Sequence, residues 1–84
     1  MIKSVYCTRN VKSANYNAPQ LYDFKDQETA KEAFTISLTE TPAMQKEMVK
    51  ELDFYYLGEF DTKTGKFNVV EPEFILSAAS VLNE

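Results

Sequence analysis

Apolar and polar positions recur in distinct patterns along the chain, and residues 53–70, DFYYLGEFDTKTGKFNVV, hold the clearest one. Aromatic and aliphatic runs flank a polar turn, the signature of a β-hairpin. Asp61-Thr62-Lys63-Thr64-Gly65-Lys66 is the turn, and Gly65 supplies the left-handed residue that such a turn needs. If Asp61 faces Lys66, a regular ladder sets Phe60 against Phe67, Gly58 against Val69 and Leu57 against Val70. Period-two alternation puts Phe54, Tyr56, Gly58 and Phe60 on one face of the first strand, and Tyr55, Leu57 and Glu59 on the other. Both faces are apolar at the strand's start, so its second face needs a cover. Either helices cover both faces or the second face meets another subunit, and a homodimer with Tyr55 and Leu57 at its interface is the expectation.

The other stretches are read the same way. Residues 2–9 alternate loosely and carry β-branched and aromatic side chains, which predicts the first strand. Residues 10–25 hold turn formers (Asn15, Asn17, Pro19, Asp23) and are expected to be irregular, pinned down by Tyr16, Leu21, Tyr22 and Phe24. The spacing of Ala30, Ala33, Phe34, Ser37 and Leu38 predicts a helix over 26–39 with Asp26 as its N-cap and Ile36 off the stripe. Thr41-Pro42 restarts a helix over 42–51, with Met44, Met48 and Leu52 at four-residue steps as core filler. Pro72 is expected to end the second hairpin strand. Residues 74–82, FILSAASVL, form an apolar tail that docks either as an edge strand or as a terminal helix. The prediction is an α+β fold in the order β-α-α-β-β plus an apolar C-terminal segment. A small antiparallel-dominated sheet carries the helices on one face, in a single domain over 1–84.

Composition removes several chemistries. The 84 residues include no histidine and one cysteine. Ser-His and Cys-His nucleophilic pairs, imidazole metal sites and zinc fingers are therefore excluded. Cys7 reads as a small buried residue, consistent with a reducing compartment. No apolar run approaches the ~20 residues that span a bilayer. Gly65-Lys66 lacks the earlier glycine and the following Ser or Thr of a phosphate-binding loop, since Phe60 and Phe67 stand there. Asp53, Glu59, Asp61, Glu71 and Glu73 read as a solvated acidic sheet edge rather than a metal site. The expectation is a protein that is not an enzyme and holds no metal or cofactor.

Charge is unevenly spread under the net −4. Residues 1–25 carry Lys3, Arg9, Lys12 and Lys25 against Asp23 alone, a net of +3; residues 26–84 carry five lysines against twelve acids, a net of −7. Tyr6, Tyr16, Tyr22 and Phe24 are interleaved with the basic residues. Cations that follow a phosphate backbone, with aromatics for base stacking, are the ingredients of single-strand binding. Arg9, Lys12, Tyr16 and Lys3 are the candidate nucleic-acid-binding residues.

Three stretches then resemble one family, the small nonstructural proteins of gokushovirus-type microviruses, phages with single-stranded DNA genomes. They are Val5 to Tyr16 followed by Pro19, the helix with Ala30 and Ala33-Phe34, and Asp53-Phe54 with Leu57-Gly58-Glu59-Phe60-Asp61, Thr64-Gly65-Lys66-Phe67 and Pro72. Asn10 stands where the family often has Asp, and Gln20-Leu21 replaces an aromatic pair. The resemblance implies a single-stranded-DNA-binding protein in the host bacterial cytoplasm. It would act in genome replication or in the switch to single-strand production and packaging. The alternative is a homodimeric protein–protein module that binds a host or phage protein and no nucleic acid.

Overall fold

The computed structural model describes residues 1–82. In chain order they form β1 (Ile2–Asn10), β2 (Asn15–Tyr16), β3 (Gln20–Tyr22), α1 (Gln27–Thr39), a 3-10 turn (Ala43–Gln45), α2 (Lys46–Val49), β4 (Leu52–Asp61), β5 (Lys66–Ser77) and α3 (Ala78–Leu82). The architecture is the expected α+β one, an antiparallel sheet with helices on one face. β1 lies inside the sheet. One of its edges pairs first with β2 and then with β3, and the other pairs with β4, which in turn pairs with β5.

Tyr6 is the hub of the core. Its ring, 2% exposed, makes edge contacts with Tyr22, Phe24, Phe34 and Tyr56 at centroid distances of 5.9, 5.8, 5.4 and 5.3 Å. Edge-to-face packing sets the positive rim of one ring on the negative face of the next. α1 contributes Ala30, Phe34 and Leu38, the fully buried part of the predicted stripe, whereas Ser37 and Ile36 are exposed. Asp26 caps α1 as predicted: its Oδ1 accepts from the Thr29 amide at 2.8 Å. Ile75, Leu76 and Ala78 close the core from the C-terminal side. The apolar tail is thus both things at once, strand to Ser77 and helix from Ala78.

The hairpin register holds from Asp61↔Lys66 through Phe60↔Phe67 to Gly58↔Val69, and Gly65 takes φ 72°. It then breaks. Leu57 has no ladder partner, and Val70, Glu71 and Pro72 are passed over before Tyr56↔Glu73 resumes pairing. Pro72 therefore interrupts β5 rather than ending it, as a residue with no amide hydrogen can at a bulge. An extra residue reverses the alternation beyond it. Tyr56 pairs with Tyr6 on the core face, but Gly58 pairs with Val5 and Phe60 with Lys3 on the opposite face. Phe60 is therefore on the face opposite Phe54 and Tyr56, contrary to the regular-ladder expectation.

Two further expectations are corrected. Residues 10–25 are not irregular throughout, because β2 and β3 take hydrogen bonds from the free edge of β1. Tyr22 and Phe24 do pin the segment to the core, but Tyr16 and Leu21 do not reach it. The methionines are not core filler either: Met44 is 87% exposed and Met48 73%, and Val49 packs on the core instead. The 3-10 turn rotates the four-residue spacing away from the sheet, because three residues per turn does not preserve an i, i+4 stripe.

Candidate nucleic-acid interface

The pairing register defines two faces of the sheet. One carries Ser4, Tyr6, Tyr22, Phe54 and Tyr56 under the helices. The other carries Lys3, Val5, Cys7 and Arg9 of β1, Tyr16 of β2, Leu21 of β3, Tyr55 and Phe60 of β4, and Phe67 and Phe74 of β5. Val5 and Cys7 are buried yet lie outside the core cluster. Leu21 lies beside Val5 and Tyr55 beside Cys7 across the ladder.

Arg9 is placed at the end of this open face by a tight turn. The Asn10 side chain accepts from the amides of Lys12 and Ser13 at 2.9 and 3.0 Å, and the Ala14 amide donates to the Asn10 carbonyl at 2.8 Å. Asp61 and Gly65 repeat part of this arrangement in the other hairpin: Asp61 Oδ1 accepts from the Lys63 amide at 2.9 Å, and the Gly65 amide donates to the Asp61 carbonyl at 2.8 Å. Ala14 takes φ 61°, the left-handed conformation that Gly65 takes in the second turn. The turn returns the chain so that Tyr16 pairs with Arg9. The Arg9 guanidinium carbon then lies 5.4 Å from the Tyr16 ring centroid, in cation–π range.

From there an aromatic row crosses the sheet. Tyr16 meets Tyr55 edge-on at 5.4 Å, and Tyr55 meets Phe74 edge-on at 5.9 Å. Tyr16 is 49% exposed and Phe74 56%. The acids of the hairpin strands turn away: Glu59 pairs with Ser4, Asp61 with Ile2 and Glu73 with Tyr56, all on the helix-side face. The open face keeps Lys3, Arg9 and one acid, Asp53.

The four residues predicted to touch nucleic acid are therefore in different situations. Arg9 and Tyr16 form a contacting pair on the open face. Arg9 Nε is buried without a hydrogen-bond partner, and Arg9 takes no part in the ion pairs among the described residues. Lys12 is in the turn, 3.1 Å from Glu51, and its hydrogen bond, with help from Asn10, holds the Glu51 carboxyl below the usual carboxylate range. Lys3 donates to Asp23 at 2.6 Å. It lies six residues from Arg9 along β1, about 20 Å away at strand rise. Tyr55, expected at a dimer interface, touches Tyr16, and Leu57 is half-buried in the bulge. Phe74 was missed. Its only signal was an aromatic ring on a segment of undecided state, and its face depends on the bulge before it.

Other chemistry finds little support. Burial pushes the Cys7 thiol up, away from the reactive thiolate. A cavity of about 290 Å³ opens beside Tyr6, Tyr22, Phe34 and Phe54. Its rim is already engaged, with Asn17 Nδ2 donating to Thr8 Oγ1 and Tyr22 Oη donating to Gln20 Oε1. Among the described residues no cluster of three or more Cys, Asp or Glu could hold a metal ion, and no helix is long and apolar enough to cross a membrane.

Fold and site together define a small α+β protein with one helix-covered sheet face and one open aromatic face that carries a cation. The chain belongs to the Phage ORF5 protein family, whose model matches residues 3–81. No curated protein and no solved structure matches it.

Proposed function

We propose that this phage protein binds single-stranded DNA with the open face of its sheet. It acts in the host bacterial cytoplasm during genome replication or the switch to single-strand production and packaging. The observation that carries this reading is Arg9 stacked over the half-exposed Tyr16, on a face from which all but one of the hairpin's paired acids are turned away. A guanidinium with no carboxylate partner keeps its charge available for phosphate, and the ring beside it offers a face to a base. The resemblance of the Val5–Tyr16 and Gly58–Asp61 stretches to microvirus nonstructural proteins supports the same reading. So does the net charge of +3 on residues 1–25.

The test is fluorescence anisotropy with labelled single-stranded DNA. Binding is expected at low salt, weakening with a log–log salt slope of about −1.4 for two phosphate contacts on a single strand. Arg9→Glu/Lys12→Glu is expected to abolish it. Absence of binding at low salt, or binding unchanged in the double variant, overturns the proposal.

One observation favours a second reading, a protein–protein module. β5 is an edge strand, and its Phe67, Val69 and Val70 are exposed, Val69 at 70%. An apolar unpaired edge is a template for another strand, from a second copy or from a host or phage protein. Pull-down from host lysate with and without nuclease separates the two: capture that survives nuclease supports the module, and capture lost with it supports DNA.

A further inference from the structure

We propose that bases of the bound strand stack on Tyr16, Tyr55 and Phe74, so that the DNA crosses β2, β1, β4 and β5 rather than following β1 toward Lys3. This rests on the reading of the open face as a single-strand site and gives that site a direction, a length and two further contact residues. The register sets Cys7, Tyr55 and Phe74 side by side on three adjacent strands, with Arg9 and Tyr16 one step along. The rings touch in sequence, and the cation sits at one end of the row. A strand entering at Arg9 meets rings that touch one another in sequence by running across the sheet. Along β1 toward Lys3 it meets Cys7 and Val5, both buried, which separate Arg9 and Tyr16 from the Phe60–Phe67 pair and from an ammonium already bound to Asp23.

The spacing also selects the kind of nucleic acid. Steps of 5.4 and 5.9 Å between ring centroids exceed the ~3.4 Å per nucleotide of a duplex strand. Bases seated on successive rings must be separated from one another, which an extended single strand allows and a stacked duplex does not. Three rings accommodate about three bases, a shorter footprint than an OB-fold groove. Among the ladder partners the face carries one acid, Asp53, opposite Arg9 at the entry end and two residues before Tyr55 on β4.

The experiment is the anisotropy titration repeated with Phe74→Ala, Tyr55→Ala and Lys3→Ala, each checked for fold by circular dichroism. Phe74→Ala and Tyr55→Ala are expected to weaken binding roughly 5- to 100-fold with the salt slope unchanged, because stacking is lost and no phosphate contact is. Lys3→Ala is expected to stay within about twofold of wild type, since its ammonium is off the track. Phe74 is exposed, so its variant keeps the core intact. Phe74→Trp supplies a second readout. The chain has no tryptophan of its own, and the indole fluorescence of this variant is expected to be quenched by oligothymidine and not by duplex of the same length. If Arg9→Glu/Lys12→Glu abolishes binding while Phe74→Ala and Tyr55→Ala bind as wild type, or if the indole emission of Phe74→Trp is unmoved by bound DNA, the aromatic track is wrong and the single-strand reading stands. If the wild type binds no DNA at low salt, both fall.

Discussion

Tyr16 and Tyr55 meet edge-on, with ring centroids 5.4 Å apart and planes at 73°. One comes from a two-residue strand at one side of β1 and the other from β4 at its other side. The contact makes a single surface of the proposed DNA contacts and the proposed dimer contacts. A second copy seated on Tyr55 and Leu57 would cover Tyr16, so the two forms of binding exclude each other. Light scattering with a saturating short oligonucleotide is expected to give one chain per complex. Two chains per complex, with Tyr55 protected in both, would contradict a shared surface.

Gly58 fixes the bulge. Its φ is +134°, and a Cβ there would lie 2.1 Å from the Asn68 carbonyl oxygen. Gly58→Ala meets a backbone atom that cannot swing aside and a conformation that L-residues avoid. We expect a loss of at least about 2 kcal/mol in urea unfolding, a large fraction of a marginal domain's stability. Ala14 is the converse case. It already holds φ 61° with a side chain, so Ala14→Gly is expected to stabilise the first turn by about 0.5–1 kcal/mol. A destabilised Ala14→Gly would show that this turn is not left-handed in solution.

These two positions also mark the limit of what the pattern of residues could reveal. α1, its Asp26 cap and the Asp61–Lys66 turn were legible because each rests on local rules: capping, helical spacing and a glycine where positive φ is needed. The faces of β4 and β5 were not. One unpaired residue at Leu57 reverses the alternation beyond it, and nothing in the local pattern marks a bulge there except Gly58 itself. β2 and β3 were illegible for another reason. Strands of two and three residues have no pattern of their own and exist because β1 offers a free edge. Arg9 and Tyr16 were found from residue type. Their join to Tyr55 and Phe74 depends on that long-range pairing.

The Tyr6 hub predicts where the fold is most sensitive. Phe34 touches Tyr6, Tyr22, Phe24 and Phe54. Phe34→Ala removes all four contacts at once and is expected to cost about 3–5 kcal/mol. An unfolding midpoint shifted by less than ~1 kcal/mol would place the core elsewhere.

Stability is expected to fall at both ends of the pH scale. Burial, then the neighbouring Tyr56, Asp26 and Glu73, pushes the Tyr6 phenol up to about 12. The unfolded phenol titrates near 10, so this contribution is complete below about pH 10 and is lost as pH rises toward 12. Asp26 and Glu51 behave oppositely. Hydrogen bonds from Thr29 and from Lys12 and Asn10 hold their carboxyls below their ordinary values. Their contribution is present above about pH 4 and is lost as pH falls through the lowered values. Melting temperature against pH reads both limbs, and Asp26→Asn is expected to flatten the acid one.

NMR chemical-shift mapping with a short oligothymidine at low salt shows directly whether the open face binds single-stranded DNA. Shifts are predicted at Arg9, Tyr16, Tyr55 and Phe74, with α1 and α3 unmoved. Shifts confined to the helix-covered face, or none at saturating oligonucleotide, would contradict it.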